Sequence, residues 1–364
     1  MSKLFRNLRS GVRYRGQMNK TLIEHDVETL RAALGRMGHK PSHARSILRD
    51  FYANCGSGDF AGLTCPQSLR EALWQWANLT SQVIAHRRSV DGTSKLLVGY
   101  AAGGAAEAVL MPGHRKDIAA ACVSSQIGCA MGCDFCASTR NGLERDLQSF
   151  EIVEQFIHLK RIAREQDRRL KTLVFMGMGE PMHNLTNVIA AIRRIADPDL
   201  GGLGWRQVTV STVGIVPGID RLAEADLNVH LALSLHAPDD QTRGRLVPPN
   251  RRYPVSEIME AARRFQQRSG RVVNIEYCML AGVNDSDEQA KLLAELMRGF
   301  RAHVNLIPYN WTGAGLSGRV YERPGRERVE RFLELLRERK VVAHVRETRG
   351  DDVSAACGQL RQLA

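Results

Sequence analysis

IAAACVSSQIGCAMGCDFC, residues 118–136, joins an apolar run to three cysteines in a short glycine-containing loop. The run Ile118–Ser124 reads as a buried strand, and Cys129, Cys133 and Cys136 follow it as C-x3-C-x2-C. A [4Fe–4S] cluster ordinarily takes four thiolates. Three closely spaced ones would hold three irons and leave the fourth open to an exogenous ligand. An open iron can chelate the amino and carboxylate groups of S-adenosylmethionine and pass it one electron, which cleaves the sulfonium to a 5′-deoxyadenosyl radical. Zinc is the competing occupant, but it usually takes four ligands from paired motifs, and the sequence has no second C-x2-C or nearby His pair. Three incidental buried cysteines suit neither the loop nor the spacing.

From Ile118–Ser124 onward, strand and helix patterns alternate. Strands are predicted at Leu173–Met176, Val208–Val213, His230–Leu235, Val272–Leu280, Val304–Tyr309 and Val341–Arg346. Between them the spacing predicts helices at Phe150–Glu165, Leu185–Ala196, Val255–Ser269, Glu288–Arg298 and Arg326–Arg339. That alternation predicts an α/β fold with a parallel sheet of βα units, as an open sheet or a partial barrel. Upstream, Asp91-Gly92, Gly103-Gly104 and Pro112 punctuate two apolar runs and suggest a hairpin over residues 92–112. Residues 19–80 read as helical, with helices over Thr21–Met37, Arg45–Tyr52 behind a Ser42 cap, and Ser68–Ala77. The division expected is a helical accessory domain, residues 1–90, and a barrel domain with a hairpin extension, residues 91–364.

The cysteine loop falls at the C-terminal end of its strand, where βα barrels build their active sites. Other polar motifs share that position. Gly177-Met178-Gly179-Glu180-Pro181 follows one strand, Ser211 ends another, Ser234-Leu235-His236 a third, and Asn310 follows Val304–Tyr309. Taken singly, a serine there is more often a cap or turn residue. Their common rim favours one shared ligand.

The 364 residues carry a formal charge of +12, which attracts polyanions and favours a nucleic-acid partner over a purely solubilising role. Eight cysteines, three of them clustered, point to metal or catalysis rather than a disulfide framework. No apolar run reaches a membrane span, and Lys3, Arg6, Arg9, Arg13, Arg15 and Lys20 precede no apolar stretch of a secretory signal. A cytoplasmic monomer without a membrane partner is expected.

At this point the chain resembles the radical SAM superfamily and, within it, the RlmN/Cfr family of RNA-adenosine methyltransferases. The matching stretches are CVSSQIGC (122–129), FMGMGEP (175–181), VSTVG (210–214) and LSLHAP (233–238). They continue in order with GVNDS (282–286), VNLIPYN (304–310) and DVSAACGQL (352–360). The resemblance implies a partial (βα)6 barrel that uses a [4Fe–4S] cluster and S-adenosylmethionine. By matching position, Gly179, Glu180, Ser211, Ser234, Leu235, His236 and Asn310 would contact S-adenosylmethionine. Cys357 would become S-methylated and Cys122 would be its partner. Glu107 falls where the family has an acidic residue credited with proton transfer or with holding the target base.

The chemistry so implied answers a difficulty: the C2 carbon of adenine is electrophilic, so nucleophilic attack on a sulfonium methyl cannot place carbon there. One S-adenosylmethionine methylates the Cys357 thiolate; a radical from a second takes hydrogen from that methyl group, and the methylene radical adds to the base. Cys122 then closes a disulfide with Cys357 to release the product, and external reductant reopens it. A flexible terminal tail would let Cys357 reach the barrel mouth. The implied substrate is large-subunit (23S) rRNA, with tRNA open as a second, and C8 methylation is the alternative within the family. Flavodoxin or ferredoxin would supply electrons. The target base would be flipped from its stack, and the basic arm with the helical module would contact phosphates. Cys55, Cys65 and Cys278 read as incidental. Departures from the family pattern are Ala137–Gly142 after the cysteines and Trp311, where proline is usual after the asparagine. Two other classes stay open: a radical enzyme with a non-RNA substrate, and a zinc-stabilised RNA-binding module.

Overall fold

Leu231, Leu233, Ile275, Tyr277, Val304 and Leu306 take alternate positions along three adjacent strands and so share one face, and that alternation sets the architecture around the cysteine loop. The computed structural model describes residues 20–360, so the basic arm from Lys3 to Arg15 lies outside the described residues. The chain divides into two compact units at Leu79 and Thr80.

The first unit is helical. α1 (Val27–Arg36) begins at Asp26, whose carboxylate accepts from the Thr29 amide at 2.8 Å. α2 (Ala44–Ala53) and α3 (Gln67–Trp76) follow, and Leu30, Ile47, Phe51, Phe60 and Leu73 are fully buried. Ser42 does not cap α2; it sits in a 3-10 turn, Pro41–His43, that leads into the helix.

The second unit opens with an antiparallel meander of β1 (Ser81–Arg88), β2 (Ser94–Tyr100) and β3 (Ala105–Pro112). β3 pairs antiparallel with β4 (Ile118–Cys122), and a small hairpin of β5 (Gln126–Gly128) and β6 (Leu143–Asp146) follows. Then come α4 (Ser149–Glu165), β7 (Arg169–Phe175), α5 (Leu185–Ala196), β8 (Val208–Thr212), α6 (Val216–Glu224) and β9 (His230–Ser234). The chain continues through α7 (Asp240–Leu246), α8 (Val255–Ser269), β10 (Val273–Met279), α9 (Asp287–Leu296), β11 (Ala302–Pro308), α10 (Arg326–Glu338) and β12 (Val342–Val345).

One sheet runs β1-β2-β3-β4-β7-β8-β9-β10-β11-β12, and β4 with β7 to β12 are parallel neighbours in chain order. Because the order never reverses, right-handed crossovers place successive helices on one side, and the sheet curls as a (βα)6 partial barrel rather than a doubly wound sheet. β1 and β12 are its unpaired ends. Each parallel strand predicted from the sequence is present. β1 lies within residues 1–90, expected as the helical accessory domain, yet it is a strand paired with β2; only Ser81 in it is buried, so it carries no burial pattern. It falls with the second unit. α6 was hidden by its Val216-Pro217-Gly218 start, and α7 by a polar sequence, DQTRGRL.

The two faces of the sheet differ. Leu173, Phe175, Val210, Leu231, Leu233, Ile275, Tyr277, Val304 and Leu306 are buried. They form one face, against which the helices pack. The opposite, inner face carries Cys122, Ser211, Ser234, Glu276, Cys278 and Asn305. Parallel strands covered on both sides are normally apolar on both. A polar inner face marks the barrel interior as a place for chemistry.

α4 is tied to the start of the meander by Glu154, whose carboxylate accepts from the Thr80 amide and from Thr80 Oγ1 at 3.1 Å. Burial pushes this carboxyl up to about 7 against those bonds. A raised carboxyl contributes stability that is complete below about pH 4.5 and is lost as pH rises to about 7. Glu154→Gln should flatten the dependence of stability on pH across that window in denaturant unfolding; an unchanged wild-type slope would contradict the assignment.

Candidate active site

The cysteine loop hangs from the β5–β6 hairpin. The Cys129 amide donates to the Gly142 carbonyl at 2.9 Å and the Cys136 amide to the Cys133 carbonyl at 3.1 Å, so both ends of the loop are turned by backbone bonds. Gly128 has φ 76°, and a Cβ there would stand 2.0 Å from the Gly142 oxygen. Between the second and third cysteines, Asp134 accepts from the Ser317 amide at 2.7 Å, Ser317 Oγ at 2.6 Å and Tyr321 Oη at 2.5 Å. Arg140 donates to the carbonyls of Thr312 and Ala314. Both departures from the family pattern therefore meet: the segment after the cysteines holds the segment containing Trp311.

Burial pushes the Cys129 thiol up to about 12 and raises Cys133 and Cys136 as well. For Cys133 the charges of Cys136 and Cys129 add to the rise. Thiols so placed resist ionisation unless a cationic group neutralises them. Among the described residues no three His, Cys, Asp or Glu side chains are arranged as ligands of one metal ion. A cluster distributes its thiolates over separate irons, and this donor set fits it better than it fits zinc.

Around the loop, strand ends supply the remaining groups. Gly179 has φ 97°, and a Cβ would lie 2.5 Å from Gln126 Cβ, so only glycine lets this turn pass the hairpin. Its neighbour Glu180 is buried, with Oε1 accepting from the Met182 amide at 3.0 Å and Oε2 from the Val213 amide at 2.9 Å. Burial outweighs those bonds and pushes the carboxyl up to about 7. A ligand ammonium arriving here would restore the charged form. Ser211 and Ser234 lie on the inner face at the ends of β8 and β9, and Leu235 turns the chain outward with its amide on the Glu276 carbonyl at 3.1 Å. His236 has φ 60°, its Nδ1 accepts from the Cys278 amide at 3.0 Å, and its ring meets Phe135 of the cysteine loop edge-on at 4.9 Å. Burial pulls His236 down to about 3, so the ring is neutral with its proton on Nε2.

Arg243 is a residue the sequence reading missed. It is fully buried and donates to the carbonyls of Leu235 at 2.9 Å, Ser234 at 3.3 Å and Val213, and to Asn250 Oδ1 at 2.8 Å. One guanidinium thus fixes the ends of β8 and β9 and faces Cys133. The available signal was its placement three residues before Leu246, on the same buried face of α7.

The tail is not a free arm. The Gly350 amide donates to Asp91 Oδ2 at 2.9 Å, the Ala137 amide to the Gly358 carbonyl at 2.8 Å, and Ser138 Oγ to the Leu360 carbonyl at 2.6 Å. Asn310 Nδ2 reaches the Cys357 carbonyl at 3.3 Å. These bonds lay the tail across the cysteine loop. Cys357 is solvent-accessible there yet ringed by protein, which pushes its thiol up to about 11; Glu276 adds to the rise. Cys122 is buried at the end of β4, raised to about 12 by burial and then by the charge of Cys357. Both are free thiols. Glu107 is not a solvated hairpin acid: it is fully buried, with its Oε1 2.6 Å from Lys95 Nζ.

Residues 123–294 match the Radical SAM superfamily. Over 345 residues, 94% of this chain and 97% of the relative, the sequence is 52% identical to the probable dual-specificity RNA methyltransferase RlmN 1 of Opitutus terrae. The chain belongs to the RlmN family of radical SAM enzymes. Another RlmN relative, from Heliobacterium modesticaldum, is 45% identical across 93% of this chain and 88% of its own length. The crystal structure of a radical SAM methyltransferase from Sphaerobacter thermophilus superposes with a TM-score of 0.87 at 42% identity, covering 94% of this chain and 99% of the other. Membership of the radical SAM superfamily implies, in general, a [4Fe–4S] cluster and S-adenosylmethionine. No helix among the described residues is long and apolar enough to cross a membrane.

Because Gly128 lets β5 and Gly142 approach, Gly128→Ala should lower stability by about 2–4 kcal/mol in denaturant unfolding, from overlap plus a strained φ. A loss under about 0.5 kcal/mol would mean that the hairpin is not fixed as described.

Proposed function

We propose that this protein methylates C2 of an adenine in 23S rRNA and also in tRNA, through a methylated Cys357. The observation that carries this reading is the docking of the Cys357 tail on the cysteine loop, with Cys122 on the inner face, where the charge of Cys357 adds to the rise of its thiol. A small-molecule radical enzyme would have no use for that pair. The relatives named as dual-specificity RNA methyltransferases support two RNA substrates, and Gly179-Glu180-Pro181 resembles the C2 group more than the C8 group.

In this reading Cys129, Cys133 and Cys136 hold the cluster, which when bound supplies the electron that cleaves S-adenosylmethionine to a carbon radical. Glu180 receives the ligand's ammonium, while Gly179 lets the backbone come close. Ser211, Ser234, Leu235, His236 and Asn310 line its remaining edge. Cys357 accepts the methyl group and carries it as a thioether to the base. Its raised thiol must lose a proton first, so methyl loading is expected to quicken as pH rises. Once the base carbon has lost its proton, Cys122 attacks the sulfur of Cys357, and the bond from that sulfur to the methylene breaks. The methylene takes up a proton to leave as the methyl of the product. A two-electron thiol reductant reopens the disulfide, while a one-electron donor such as flavodoxin or ferredoxin would serve the cluster. The net positive charge draws in the RNA, whose target base must leave its stack.

The test is mass spectrometry of total RNA after anaerobic incubation of the brown, iron-loaded protein with S-adenosylmethionine and reductant. New 2-methyladenosine in the rRNA and tRNA fractions is expected. Cofactor cleavage without any methyladenosine would refute the reading, and 8-methyladenosine would refute the regiochemistry.

The roles of the two cysteines separate in their variants. Cys122→Ala should accumulate a covalent protein–RNA adduct on denaturing gels, whereas Cys357→Ala should form none. Equal adduct from both would contradict the roles given.

A further inference from the structure

β2, β3 and β4 pair so that Lys95, Val109 and Cys122 stand abreast on one face, with Glu107 two residues along β3 on that same face. It is the face that continues into the polar barrel interior. Lys95 and Glu107 are both buried, and Lys95 Nζ, 2.6 Å from Glu107 Oε1, also donates to the Ser354 carbonyl at 3.0 Å. Ser354 is in the left-handed region, φ 52°, and leads directly into Ala355-Ala356-Cys357. One ammonium therefore joins the hairpin extension to the tail just before its thiol.

We propose that Lys95 is the positioning residue that seats the catalytic tail, with Glu107 acting through it as the counter-charge rather than as an isolated base. The inference rests on the reading of Cys357 as the methyl carrier. A buried ammonium is strongly unfavourable without an opposite charge, and Glu107 supplies that charge. The bond left for the tail is then charge-assisted and stronger than a neutral one. It grips a backbone carbonyl, so it fixes the path of the chain rather than the identity of a side chain. Asp91 holds the tail before this point, and Ala137 and Ser138 hold it after. Lys95 is the anchor on the Cys122 side. If the tail departs, the ammonium keeps its charge partner but loses an acceptor in a buried place, which returns the tail to the same register.

The test is hydrogen exchange of the full-length, iron-loaded protein, read by mass spectrometry on peptides covering 350–358, together with the ratio of 5′-deoxyadenosine formed to RNA methylated. Lys95→Met should speed exchange in the tail by about tenfold and raise that ratio by about tenfold, with β2–β4 peptides protected as in wild type. Lys95→Arg should recover part of both effects. Unchanged tail exchange in Lys95→Met would overturn the proposal, and so would exchange rising equally through β2–β4, the signature of a merely structural pair. Glu107→Gln leaves Lys95 able to reach Ser354 and should loosen the tail by less than Lys95→Met; an equal or larger effect would overturn the assignment. If Lys95→Met fails to fold, Lys95→Arg and Glu107→Gln decide by the same exchange measurement: the proposal requires a partial loosening confined to the tail in each, and a loosening shared equally by β2–β4, or none in the tail, would overturn it. A wild-type protein that cleaves S-adenosylmethionine but never methylates RNA would contradict the proposed function, while tail exchange would still decide the seating.

Discussion

Burying Cys129, Cys133, Cys136 and Glu180 at one end of a sheet is unfavourable for each of them as an anion, and much of the surrounding structure answers that constraint. Backbone amides of Met182 and Val213 point at the two carboxylate oxygens. Arg243 brings a positive charge against Cys133 while its guanidinium hydrogens are spent on strand-end carbonyls. Even so, burial keeps the three thiols and the carboxyl on the side of their neutral forms. A cluster and a ligand ammonium are the groups that would complete the balance.

The same constraint explains why the site is assembled from distant parts of the chain. Asp134 and Arg140 anchor the segment around Trp311, the cysteine loop anchors Gly358 and Leu360, and the meander anchors Gly350 and Ser354. A tail held at several points by backbone bonds fixes Cys357 at one position without a long rigid element behind it. The barrel supplies the polar inner face, and the hairpin extension continues that face to Lys95 and Glu107. Sheet register thereby places the tail's anchor and Cys122 in one row across the sheet, with Val109 between them.

Much of this was legible in the sequence. The parallel strands were readable because their buried face is a run of β-branched and leucine residues, and the cysteine loop because thiols at that spacing have few alternative uses. The rim motifs were recognisable by their shared place after strands. Arg243 and Lys95 were not, since a single charged residue in a short polar helix or a hairpin looks solvated until tertiary contacts bury it. β1 escaped because an edge strand exposed on both faces has no periodicity to read. The tail was expected at the barrel mouth but as a flexible arm; that it is held there was not legible, because its bonds run mostly through backbone groups, which leave no trace in residue types.

On the proposed route the methyl group reaches RNA by way of the sulfur of Cys357 and loses one hydrogen there. Supplying S-adenosylmethionine with a fully deuterated methyl group tests it directly. Protein first freed of any existing methyl group should deliver a methyl bearing two deuterium atoms to adenine, with the third appearing in 5′-deoxyadenosine. A methyl group arriving with all three deuteriums, and none in 5′-deoxyadenosine, would contradict it.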